Sequence, residues 1–315
     1  MNLNDKIKGA LFGMALGDAL GLGTEFMSVE EIKYYYPDGM RHFSQIIRDA
    51  HRSMWKRGDW TNDTQTVILL IESILECGKL DLSDYASKMK NWFKDHPTDM
   101  VDFYHFLFEI PEWETHPREI THKVWRGKDV YRASNEALPR AIITGILGDP
   151  RLMGNSLDII AITHDDTRCS TCGAMIAVMA DSLLRKGRPA NYKELEDIAN
   201  TLDSRTLYYL DMAHNGTLSD ICLDNEDSLW FARKTMAAAI WSIWHCSSPE
   251  EVLHTMIDAG GDANTNAALA MGLAGLQYGY DALPDEVNKL LRYDEMEKLA
   301  TRFIDYVENI ENSKQ

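Results

Sequence analysis

The chain has 315 residues, of which 45% are hydrophobic and 26% charged, and its formal net charge is −17. The acidity and the lack of a basic stripe exclude a general nucleic-acid binder and point to a cytoplasmic protein. No stretch approaches the roughly 18 consecutive apolar residues of a membrane span, and the five scattered cysteines form no disulfide framework.

Glycine and proline are few and helix-compatible runs many, which predicts an all-α protein. Without a repeat, low-complexity segment or linker, residues 1–315 read as one domain. A first helix is predicted over 5–22, with Ile7, Leu11, Met14 and Ala15 on one face. Gly9, Gly13 and Gly17 permit close approach of a neighbour, and Asp18 projects from that packed surface in a structural role. Asp18 and the repeated glycines also interrupt the apolar stretch 10–22, which argues against a signal sequence after Lys6 and Lys8. Glu25 follows Gly21, Gly23 and Thr24 in a short loop, mobile enough to reach a metal or a substrate. Residues 28–57 read as a short helix and a long loop, with a stop and turn at Tyr36-Pro37-Asp38-Gly39. Arg52, Lys56 and Arg57 either meet a pyrophosphate or form a solvated basic loop.

Asp59-Trp60-Thr61-Asn62-Asp63-Thr64-Gln65 opens a buried helix, predicted over 64–77 and stopped by Gly78. Its Thr, Asn and Asp side chains are hard oxygen ligands of the kind Mg²⁺ prefers. A helix over 82–94 follows. In the stretch 97–131, Phe103, Tyr104, Phe106, Phe108, Trp113 and Trp125 either pack locally or stack on a base. Ser134-Asn135-Glu136-Ala137-Leu138-Pro139-Arg140 comes next. Thr163-His164-Asp165-Asp166 then begins a helix over 170–184, where the aspartates suit the N-terminus. Cys169 and Cys172 form a lone CxxC, and the cysteines read as buried helical residues. Polar helices over 191–226 and helices over 230–246 and 249–258 lead to Gly260-Gly261-Asp262-Ala263-Asn264-Thr265-Asn266. Two glycines allow a tight turn there, and three side-chain oxygens again stand at the start of a helix rich in small residues. Pro284 begins the last helical region, with a polar end over 308–315. Taken singly, each oxygen cluster reads as helix capping. Two of them could face each other across a cleft and share one or two metals.

Gly9-Ala10-Leu11-Phe12-Gly13, Gly17-Asp18-Ala19-Leu20-Gly21, Glu25-Phe26, Trp60-Thr61-Asn62-Asp63-Thr64, Thr163-His164 and Gly261-Asp262-Ala263-Asn264-Thr265-Asn266-Ala267-Ala268 occur in this order. The series resembles the ADP-ribosylglycohydrolase family. The resemblance implies that family's fold and the hydrolysis of the bond between ADP-ribose, or a related ribosyl group, and its acceptor. The acceptor would be arginine on a protein or part of a small ribosyl compound. It also implies Glu25, Asp63 and Asp262 as catalytic carboxylates. One or two Mg²⁺ or Mn²⁺ ions would be held by Glu25, Thr61, Asn62, Asp63, Asp262, Asn264 and Thr265. Ser134, Asn135 and His164 would contact substrate. Asn62 and Asn264 stand where the family usually has aspartate, and Glu136 and Pro139 where it often has glycine and methionine. The two amides can ligate but bring no charge, and Glu136 would repel a pyrophosphate. An alternative is a non-catalytic binder of ADP-ribose or a nucleotide sugar on the same fold.

Overall fold

The computed structural model describes residues 2–95, 98, 102–127 and 133–313. Among them it contains sixteen α-helices and no strand. In chain order the first eight are α1 (Leu3–Gly21), α2 (Val29–Tyr35), α3 (Asn62–Cys77), α4 (Leu82–Lys94), α5 (Asp102–Phe108), α6 (Pro117–Gly127), α7 (Pro139–Leu147) and α8 (Leu152–Ala161). Then come α9 (Thr167–Asp181), α10 (Tyr192–Leu202), α11 (Leu207–Asn215), α12 (Leu218–Ile221), α13 (Ala232–His245), α14 (Pro249–Ala259), α15 (Ala263–Tyr278) and α16 (Tyr293–Ser313).

The centre is the pair α1 and α15, the most extensive helix–helix contact among the described residues. Gly9, Gly13, Gly17 and Gly21 recur every fourth residue, so the helical period puts them on one face. That face runs antiparallel along the backbone of α15. A Cβ on Gly17 would lie 2.2 Å from the Ala267 carbonyl oxygen, and one on Gly21 would lie 2.5 Å from that of Ala263. Any larger residue would drive the helices apart. Both helices are buried nearly all round, which is why neither shows a polar stripe. The outer helix α16 is the opposite case. Met296, Leu299, Ala300, Phe303, Ile304 and Val307 give it one apolar face at spacings of three and four.

Three sequence-based expectations need correction. α3 begins at Asn62 rather than 64, because Thr61 is its N-cap, so Asn62 and Asp63 belong to the first turn. The last helix does not start at Pro284. Short 3₁₀ turns occupy Tyr280–Ala282 and Asp285–Lys289, and α16 starts at Tyr293 and runs through the polar end to Ser313. Ile310 still packs on the core there. Cys169, Cys172 and Cys246 are buried, but Cys77 and Cys222 are exposed. No helix among the described residues is long and apolar enough to cross a membrane.

Candidate active site

Asp18 joins the centre of the molecule to the start of α3. It is fully buried, and its Oδ2 accepts hydrogen bonds from the backbone N–H groups of Thr61 (3.1 Å) and Thr64 (3.0 Å). The hydroxyls of Thr61 (2.8 Å) and Thr64 (2.7 Å) also donate to the carboxyl. Burial pushes this carboxyl up to about 6, against the pull of these four donors. The first-turn amides of a helix otherwise lack partners, so this one carboxyl fixes where α3 begins.

With α15 fixed against α1 and α3 fixed to Asp18, the two helix starts meet. Asp63 Oδ2 accepts from Thr265 Oγ1 at 2.9 Å and from Asn264 Nδ2 at 3.3 Å. Thr265 Oγ1 also lies 3.1 Å from Asp262 Oδ1. One hydroxyl therefore stands between two carboxylates some 200 residues apart in the chain, with all four residues buried. Asp262 occupies the N-cap position of α15 but makes no side-chain cap bond. Its other oxygen accepts from Asn135 Nδ2 at 2.7 Å. Burial pushes the Asp262 carboxyl well above the ordinary range, and the nearby Glu25 adds to the rise.

Glu25 lies beside this set. Phe26 N–H donates to the Gly261 carbonyl at 2.7 Å and Gly261 N–H to the Met27 carbonyl at 2.9 Å, so the Glu25 loop and the glycine turn are laced together. Glu25 Oε2 is 2.6 Å from His51 Nε2. Arg52 is buried and holds the carbonyls of Gly23 and Glu25, so it braces this loop instead of meeting a phosphate. Arg57 donates to the Ile46 carbonyl at 2.7 Å.

A second wall comes from the segment before α7 and the turn before α9. His164 Nε2 lies 2.9 Å from both Ser134 Oγ and Glu136 Oε2. Asn135 is fully buried and donates to Thr235 Oγ1 (2.9 Å) as well as to Asp262, so in this structure it is a brace for Asp262. Of the aromatics over 97–131, Tyr104, Phe108 and Trp113 are core residues, while Phe103 and Trp125 stand beside His164.

The residues expected to ligate a metal divide into two groups. Asp63, Asp262, Asn264 and Thr265 form one hydrogen-bonded set. Glu25 is turned to His51, Thr61 gives its hydroxyl to Asp18, and Asn62 lines a separate cavity of about 190 Å³ with Trp55, Trp92 and Arg292. Among the described residues no three His, Cys, Asp or Glu side chains form a metal cluster. The joined set is instead carboxylate, amide and hydroxyl oxygen, which suits a hard divalent cation. Asn264 Oδ1 is buried with no hydrogen-bond partner among the described residues, an acceptor left unspent beside Asp63. The residues therefore fit such an ion. His51 and Thr235 carry no signal of a site role in the sequence, because each acts through a partner distant in the chain.

An all-helical core in which two buried helix starts share carboxylate, amide and hydroxyl oxygens is the class that this geometry defines. The chain belongs to the ADP-ribosylglycohydrolase family, whose model matches residues 1–312. It is 25% identical over 310 residues to the ADP-ribosylarginine hydrolase Tri1 of Pseudomonas putida, covering 96% of this chain and 78% of that one. It is 28% identical over 295 residues to the ADP-ribosyl-[dinitrogen reductase] glycohydrolase of Rhodospirillum rubrum, covering 90% and 89%. A solved ADP-ribosylglycohydrolase-related protein complex shares its fold, with a TM-score of 0.71 at 23% identity over 97% of this chain and 99% of that one.

Proposed function

We propose that the protein hydrolyses the N-glycosidic bond between ADP-ribose and an arginine guanidinium, with Mg²⁺ or Mn²⁺ held by Asp63, Asp262, Asn264 and Thr265. The observation that carries this is Thr265 Oγ1 within hydrogen-bonding distance of both Asp63 and Asp262. Family membership and the names of the relatives support the reaction class. A bound divalent cation would supply positive charge for ribose hydroxyls and an attacking water. The chain's own residues do the rest. Cleavage passes through an oxocarbenium-like state, and Glu25, Asp63 and Asp262 place negative charge around it. Burial keeps that charge effective by lowering the local dielectric. Glu25 on its laced loop, with His51 against its carboxylate, closes one side. Ser134 and His164 offer polar atoms to the substrate on the other.

The test is release of ADP-ribose from ADP-ribosylated arginine by purified protein with Mg²⁺ or Mn²⁺, and its loss in EDTA. Absence of product with cation present would contradict the proposal. A second reading, a binder without turnover, is favoured by one contact. Asn264 turns an amide donor toward Asp63 at 3.3 Å. That reading predicts heat on titration with ADP-ribose and no product.

A further inference from the structure

Glu136 is not needed for the cation set, yet it is a buried carboxylate with an elaborate support. Its Oε2 lies 2.9 Å from His164 Nε2. His164 Nδ1 lies 2.8 Å from Thr163 Oγ1, and Arg140 Nη1 donates to that same oxygen at 2.8 Å. An arginine can only donate. Thr163 Oγ1 therefore accepts from Arg140 and stands against His164 Nδ1, which anchors the ring. The anchored ring presents Nε2 to Glu136 Oε2. Burial raises the Glu136 carboxyl, but the bonds from His164 and Ser134 outweigh it and hold the group below its ordinary range.

The support therefore fixes an anion. Its charge adds to the rise of Asp262 and favours the charged form of the fully buried Arg140. A phosphate placed against this wall meets charge repulsion, whereas a cation meets a carboxylate of opposite charge. The flanking surface suits the same group. Trp125 and Phe103 stand with ring centroids 5.8 and 6.5 Å from that of His164, and aromatic faces attract a guanidinium.

We propose that Glu136 is a specificity-determining residue that binds the guanidinium of the acceptor arginine, with Thr163 and Arg140 as positioning residues behind His164. This rests on the hydrolase reading above and names the residue that selects its acceptor. It predicts a preference for guanidinium-linked ADP-ribose over ADP-ribose linked to a serine hydroxyl.

Two measurements test it. The first is the ratio of kcat/KM for ADP-ribosylarginine to that for ADP-ribosylserine, in the wild type and in Glu136→Gln. The ratio should fall by roughly 10- to 100-fold, the value of one charge-assisted contact, with the loss mainly in KM. An unchanged ratio would overturn the proposal. The second needs no turnover, so it separates a failure here from a failure of the hydrolase reading. Agmatine, a free guanidinium probe, should bind the wild type by calorimetry. Its affinity should drop at least about 10-fold in Glu136→Gln and by a smaller factor in Thr163→Val. Equal affinity in wild type and Glu136→Gln, or no agmatine binding to the wild type, would overturn it. Should Glu136→Gln not fold, Glu136→Asp takes its place, since a withdrawn carboxylate weakens agmatine by the same logic and an unchanged affinity again overturns the proposal.

Discussion

The starts of α3 and α15 look alike in sequence and behave differently in the structure. At α3 the polar side chains serve the fold. Thr61 is the N-cap, and Thr61 and Thr64 together grip Asp18 with four hydrogen bonds. At α15 the residue in the capping position makes no cap bond, and its two oxygens turn to Thr265 and Asn135 instead. A capping residue forgoes about 1 kcal/mol when it does not cap. The difference teaches that a helix start becomes a site where its polar side chains are turned away from their own backbone. Asp63 belongs with α15 in this sense, since its carboxylate reaches across to Thr265 although it sits on α3.

Substitutions can break this contrast. The largest effect is expected at the crossing carboxylates. Asp63→Ala and Asp262→Ala should each lower kcat for ADP-ribosylarginine by at least about 10³-fold, while circular dichroism and cooperative melting persist. Unfolding instead of inactivation would place these residues with the structural group. Asp18 should show the reverse. Asp18→Ala orphans two buried backbone N–H groups and should cost about 2–4 kcal/mol in urea unfolding. Asp18→Asn keeps an acceptor for those amides and should cost under about 1 kcal/mol. Similar losses in both would deny Asp18 its clamping role. Gly17→Ala tests the shared support, because its methyl would meet the Ala267 carbonyl oxygen at 2.2 Å. It should cost about 1–3 kcal/mol and lower activity as the two helix starts move apart.

A smaller effect sharpens the contrast from the side of charge. The Asp262 carboxyl is raised by burial and then by Glu25. A raised carboxyl contributes its stability below its unfolded value of about 4 and loses it as pH rises through the folded value. In EDTA at neutral pH, Asp262→Asn should therefore melt higher than the wild type, and the gap should close on acidification. A lower melting temperature would mean that the ionised carboxylate is already stabilised without a cation.

Much of the candidate site is legible in the chain, for a physical reason. Asp63, Asp262, Asn264 and Thr265 lie in two short local clusters at the heads of apolar helices, and local clusters leave a local pattern. The glycine stripe of α1 was legible in the same way, although only the structure shows its partner to be α15. The rest depends on contacts between distant segments. Nothing near Asn135 announces that its amide will hold Asp262, and nothing near Arg140 announces the run through Thr163 to His164. The bracing role of Arg52, in place of either a pyrophosphate contact or a solvated loop, is not legible because the Gly23 and Glu25 carbonyls are brought to it only by the fold. The start of the last helix is not legible because Pro284 heads a 3₁₀ turn rather than the helix itself.

The central claim is that Asp63 and Asp262, carried by separate helix starts, hold one cation together. Calorimetric titration of Mn²⁺ into the wild type, Asp63→Ala, Asp262→Ala and the double variant tests it directly. The expected result is saturable binding to the wild type that falls by a similar factor in each single variant, with little further loss in the double. Binding of wild-type strength in either single variant, with the protein folded, would contradict it.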